Sequence, residues 1–78
     1  MKKNMMRSKI PMTPKMMGVL NFIKKYAKKN KYYPTFQEMA DSLGYKSKNS
    51  ITVLVNRLEA RKELKKIKGY RRNIELNE

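Results

Sequence analysis

Between Ser47 and Asn56 the chain gathers five small polar side chains, Ser47, Asn49, Ser50, Thr52 and Asn56, around one outlying valine, Val53. Carboxamides donate and accept hydrogen bonds at once, and hydroxyls do either. In the right frame an asparagine pairs with the edge of an adenine, and an apolar side chain meets a thymine methyl. The chemistry on offer is recognition of base edges. The plainer reading of Val53 is packing against a neighbouring element or a partner chain, or simple exposure, since single exposed apolar residues are common.

Covalent chemistry finds little to work with. The chain has no histidine and no cysteine, so the commonest general base, the thiolate nucleophile and the usual nitrogen and sulfur metal ligands are missing. Ser47 and Ser50 have no evident base beside them. The six carboxylates are scattered among helix caps, helix surfaces and the C-terminus, and three glycines are too few and wrongly placed for a phosphate-cradling loop. The expectation is a protein that is not an enzyme and uses no cofactor or metal.

Charge points to the partner. Twenty Lys and Arg against six Asp and Glu give a net charge of +14 on 78 residues. So one-sided a balance favours polyanions, nucleic acid first, with an acidic protein or a membrane surface behind it. Lys46, Lys48, Lys68, Arg71 and Arg72 flank the polar cluster and the chain's basic tail, and are the candidates for phosphate contacts. Arg57 and Arg61 read equally well as solvated charges. No apolar run approaches the roughly 18 residues a membrane span requires, and the basic start MKKNMMRSKIPM has no apolar core of the signal-peptide kind. Cytoplasmic, nucleoid-associated placement without a membrane partner is the expectation.

The elements that must position these groups are legible from capping and periodicity. Residues 1–12 have no period and read as a basic disordered arm ahead of a domain at 13–78. Thr13-Pro14 opens a first helix whose stripe is Met16, Val19, Leu20, Ile23 and Ala27, with Lys24, Lys25, Lys28 and Lys29 in its last turns and Asn30 as its stop. Thr35 and Glu38 form a capping box for a second helix over 36–43, with Phe36, Met39, Ala40 and Leu43 inward and Gly44 as the left-handed stop. A third helix starts from a Ser47 cap and runs over 48–62, burying Ile51, Leu54, Val55 and Leu58. Two short strands then follow, 64–68 and 71–76, around a turn at Gly69-Tyr70. Tyr32, Tyr33, Tyr45 and Tyr70 read mainly as packing residues at helix junctions, with Tyr70, at the turn, the one best placed to stack on a base.

A short helix, a glycine turn and a second helix with a polar N-terminal face make a helix-turn-helix. Followed by a basic hairpin, it becomes a winged helix. The fold class expected is mostly α with a small β-hairpin, a three-helix winged helix-turn-helix. From Met12 to about Leu76 the chain resembles the N-terminal DNA-binding domain of the LexA repressor family. That resemblance is carried by MTPKMMGVLNFIKKY, by YYPTFQEMADSLGYKSKNS and by VNRLEARKELKKI. Its most specific part is the spacing from Pro34 to Asn49.

The resemblance implies a repressor that reads the major groove of double-stranded DNA with its third helix, as a homodimer on paired half-sites. Ser47 and Asn49 match residues the family uses on DNA. Ser50, Thr52 and Val53 hold contact positions with different side chains, which implies a different operator. The resemblance ends before the point at which LexA repressors continue into a self-cleaving domain with a serine–lysine pair, so self-cleavage and that domain's pairing surface are not carried over. Two other readings stay open. One is a small protein-interaction factor that uses a winged helix to bind another DNA-binding protein or RNA polymerase, and the other is a binder of double-stranded RNA or the ribosome.

Overall fold

The computed structural model describes residues 10–69 and 72–77. Tyr70, Arg71 and residues 1–9 of the expected arm lie outside the described residues. Helix α1 spans Pro14–Asn30, α2 Phe36–Leu43 and α3 Lys48–Ala60; strands β1, Leu64–Lys66, and β2, Ile74–Leu76, close the chain. The result is a mostly helical winged helix-turn-helix.

Each helix starts and stops for local reasons. Thr13 Oγ1 accepts the Met16 N–H at 3.2 Å, and Pro14, which has no N–H to leave unsatisfied, takes the first helical position. α1 ends when Lys31 turns left-handed at φ 67° and gives its N–H to Ala27. Pro34 then disfavours a helical conformation at Tyr33, which lies between the two helices. The capping box of α2 is complete: Thr35 Oγ1 accepts the Glu38 N–H at 3.0 Å, and Glu38 Oε1 accepts the Thr35 N–H at 2.9 Å. Gly44, at φ 80°, ends α2 in a conformation that costs a side-chain-bearing residue about 1 kcal/mol. α3 stops two residues short of the expected Lys62, because Lys62 itself adopts φ 69° and the Glu63 N–H turns back to Leu58 O at 3.0 Å.

The three helices and the hairpin share one core. Met16, Val19, Leu20 and Ile23 of α1, Met39 and Ala40 of α2, and Ile51, Leu54, Val55 and Leu58 of α3 are buried together. Ala40 has no side chain beyond Cβ where α2 meets its neighbours, which lets the backbones approach. Leu64, Ile74 and Leu76 bring the hairpin onto the same core, so the wing is fastened by burial rather than by its few ladder bonds.

The strands are antiparallel with Leu64 opposite Leu76 and Lys66 opposite Ile74, and each is three residues long rather than five or six. One further bond, Ile67 N–H to Asn73 O at 2.7 Å, extends the pairing before the chain turns through Gly69 at φ 90°. Ordered packing also reaches back beyond the first helix. Ile10 and Met12 lie against the core, and Arg61 Nη1 donates to Ile10 O at 2.6 Å.

Candidate nucleic-acid interface

α3 turns one face to the core and the opposite face to solvent. Its buried stripe is Ile51, Leu54, Val55 and Leu58. At 100° per residue, Asn49, Val53 and Asn56 fall on the reverse side as an i, i+4, i+7 line, and all three are exposed, Val53 by 47%. The outward valine inferred from periodicity is therefore a structural fact. Its half-exposure is well above that of any core aliphatic residue.

The polar cluster divides across the two flanks of α3. On one flank Asn49 and Thr52, with Lys48, line a groove of about 430 Å³ whose far wall is Thr35, Phe36 and Gln37 at the start of α2 and whose end is Asn73 of the wing. On the other, Ser50 and Val53 border a shallower depression of about 260 Å³ with Lys15, Tyr45, Leu54 and Arg57. Gln37, Asn73 and Lys15 were not legible as site residues. Gln37 follows a helix cap and Lys15 opens α1, positions whose ordinary reading is helix surface. Asn73 joins the groove only through the hairpin's register.

Local bonds decide what each group still offers. Ser47 occupies the N-cap position of α3, yet its side chain makes no capping bond, which leaves the hydroxyl available. Thr52 Oγ1 donates to Lys48 O at 3.0 Å, so its proton is used within the helix and the oxygen remains an acceptor. Asn56 Oδ1 accepts from Lys66 Nζ, leaving the carboxamide's NH₂ to donate. Glu59 accepts the Lys66 backbone N–H at 3.2 Å and lies 3.7 Å from its ammonium group, so α3 holds the first wing strand through two side chains. Among the described residues, Lys46, Lys48 and Lys68 are exposed and form no ion pair.

Arg72 has a different environment. Its Nη1 donates to Glu38 Oε1 at 2.7 Å and to Tyr33 O at 2.9 Å, while Nη2 donates to Glu38 Oε2 at 3.1 Å. The guanidinium lies over the Tyr32 ring, 4.3 Å from its centroid, and Tyr32 meets Tyr26 edge-on. Tyr26 in turn donates its hydroxyl to Glu38 Oε1 at 3.0 Å. One carboxylate thus caps α2, ties it to α1 and receives the wing through a two-pronged bond, the geometry at which arginine excels. Tyr32, Tyr33 and Tyr45 all lie at element junctions, Tyr33 and Tyr45 against the core.

These contacts move the acid–base equilibria. The Arg72 bonds first, and then the Thr35 N–H, hold the Glu38 carboxyl down at about 2 from its ordinary 4.5. The same pairing raises the Arg72 guanidinium, and partial burial followed by donation to Glu38 raises the Tyr26 phenol. Glu38 is depressed in the folded state, so its contribution is full above pH 4.5 and fades as pH falls through about 2. More than a third of the side chain is exposed, and after solvent screening the contribution is roughly 1 kcal/mol. Glu38→Gln keeps a capping group but not the charge. Its melting temperature should lie below that of the unaltered chain at pH 7, with the gap closing between pH 4.5 and 2. A gap that stays constant with pH would show that the ion pair adds nothing.

Among the described residues no group of acidic side chains is placed to hold a metal ion, and no helix is long and apolar enough to cross a membrane. The family model for the LexA DNA binding domain matches residues 9–72. Comparison with curated proteins finds no match. The family match spans most of the chain, including all three helices and the first strand, and the chain belongs to that family.

Proposed function

We propose that this LexA-family DNA-binding chain is a sequence-specific transcriptional regulator, a repressor, that lays α3 in the major groove of duplex DNA. The single observation that carries this reading is the outward line of Asn49, Val53 and Asn56 on a helix whose other face is wholly committed to the core. A helix presented in this way fits the groove, and its free face is the one that meets base edges. Ser47, Asn49, Ser50, Thr52, Val53 and Asn56 are the base-reading set. Lys46, Lys48 and Lys68 grip phosphates, and Arg71 belongs with them on the strength of its place in the basic wing. Arg72, clamped to Glu38, is better suited to setting the wing's angle than to meeting a phosphate. Repression and pairing on two half-sites follow from the family's habit.

The test is selection from a random duplex library at near-physiological salt. A recovered motif supports specific reading, and two half-sites in it would support pairing. Retention without a motif would overturn specificity and turn attention to a protein partner. If about six phosphates are neutralised, log K should fall with log salt at a slope near −5. A slope near zero would sink the DNA reading altogether.

Val53 is assigned to a thymine methyl. Val53→Ala should relax the preference at one position of the selected motif and leave the melting temperature almost unchanged, because an exposed side chain contributes about 0.5 kcal/mol or less to folding. An unaltered motif would remove Val53 from the reading set.

A further inference from the structure

We infer that the outward face of α1 is a second surface for DNA phosphates, so that one molecule bridges two duplexes. This rests on α3 being the groove helix, and adds a function that α3 does not supply. Lys24, Lys25, Lys28 and Lys29 are all exposed on the side of α1 away from its buried stripe. Spaced at three and four residues and rising only about 7.5 Å along the axis, they form one compact positive patch.

Among the described residues nothing neutralises it. Residues 1–37 contain no Asp or Glu. The five acids among the described residues are all occupied elsewhere: Glu38 with Arg72, Asp41 with Gln37, Glu59 with Lys66, Glu63 with Arg61, and Glu75 with Lys65. The helix dipole accounts for cations in the last turn, where Lys28 and Lys29 lie. It does not account for Lys24 and Lys25 a turn earlier, whose i, i+4 partners repel them. An unpaired patch of this density is complementary to a duplex, which carries a negative charge about every 1.7 Å of its axis.

The patch lies at the far end of α1 from the α3 face. Both helices bury their apolar stripes in the same core, and the α1 residue that borders the α3 depression is Lys15, in the first turn, whereas the four lysines lie in the last turns. From Lys15 to the four lysines the helix rises about 13–21 Å, while charges in physiological salt are screened beyond about 8 Å. Phosphates held by α3 are therefore largely screened from the α1 lysines, which remain available to a second duplex.

The test uses the full chain, one duplex tethered to beads, and a dye-labelled duplex of the same sequence free in solution. The unaltered chain should hold the labelled duplex on the beads. K24Q/K25Q/K28Q/K29Q, which keeps helix-forming side chains at exposed positions, should lose most of that retention, while its affinity for a single duplex, measured by anisotropy, falls only about threefold or less. The milder K25Q/K29Q should fall between, and circular dichroism confirms that both variants remain helical.

Several outcomes would overturn the inference. One is an unaltered chain that binds a single duplex but retains no second one. Another is a quadruple variant that still bridges, which would assign bridging to paired copies. A parallel loss of single-duplex binding would place the lysines in the same interface as α3. Stronger retention of a labelled RNA hairpin than of the duplex would assign the face to RNA. Absence of single-duplex binding by the unaltered chain is a distinct result, which would overturn the groove reading and this inference with it.

Discussion

Asn49→Ala should weaken binding to the selected duplex by about 1–3 kcal/mol, roughly thirtyfold in Kd at the middle of that range. Asn49 is the one carboxamide of α3 that is exposed, borders the groove and has no side-chain hydrogen bond to another element. Asn56 already accepts from Lys66 and so has only its donors to offer. The two substitutions should therefore differ. Asn49→Ala should erase preference at one base pair, whereas Asn56→Ala should also loosen the first wing strand. Binding to random duplex should change little in Asn49→Ala, because phosphate contacts supply non-specific affinity. Titration against specific and random duplexes at one salt concentration checks this, and an equal loss on both would remove Asn49 from base reading.

Ile51→Ala should destabilise the fold itself by about 2–5 kcal/mol. A chain of this length has only about 4–12 kcal/mol in total. Ile51 is fully buried in the core that α3 shares with α1 and α2, in the first turn of the helix that carries the outward line of Asn49, Val53 and Asn56. Removing its outer carbons leaves a cavity where three elements meet, and neighbours fixed by their own packing fill it poorly. The expected fall in melting temperature is on the order of 10 °C or more. DNA binding should fall only as far as the folded fraction does, and saturating duplex should restore part of the lost stability. Urea titration with and without duplex separates these effects. A loss below about 1 kcal/mol would show that α3 is held mainly by its other core residues. Val53→Ala, two positions along, should show the opposite pattern, with stability kept and preference altered.

The two variants mark what could be read from one dimension. Helical periodicity separated Ile51 from Val53 correctly, because burial on a helix repeats every three or four residues. The caps were legible for a similar reason. Thr13 with Met16, Thr35 with Glu38, and Gly44 act within one turn of chain, and each stands where local pattern placed it. Charge was equally plain, because the sum of Lys and Arg needs no fold. The family resemblance drew on the same local spacings, which the match over residues 9–72 supports.

What remained hidden was every contact made across the chain. Arg72 looked like one more basic residue of a wing, but it meets Glu38 across 34 residues and Tyr33 O across 39. Arg61 read as either a phosphate contact or a solvated charge, but it holds Ile10 O across 51 residues and extends ordered packing ahead of Thr13. Strand length was overread because alternation in LKKIK and RRNIEL cannot show where a ladder stops. Pattern alone determined which residues face inward, where the helices begin and what the surface charge attracts, since these depend on neighbours a turn or less away. Tertiary structure alone decided which of the described charges stay unpaired and which are used to hold the domain together, since a charge's partner is set by where distant segments meet.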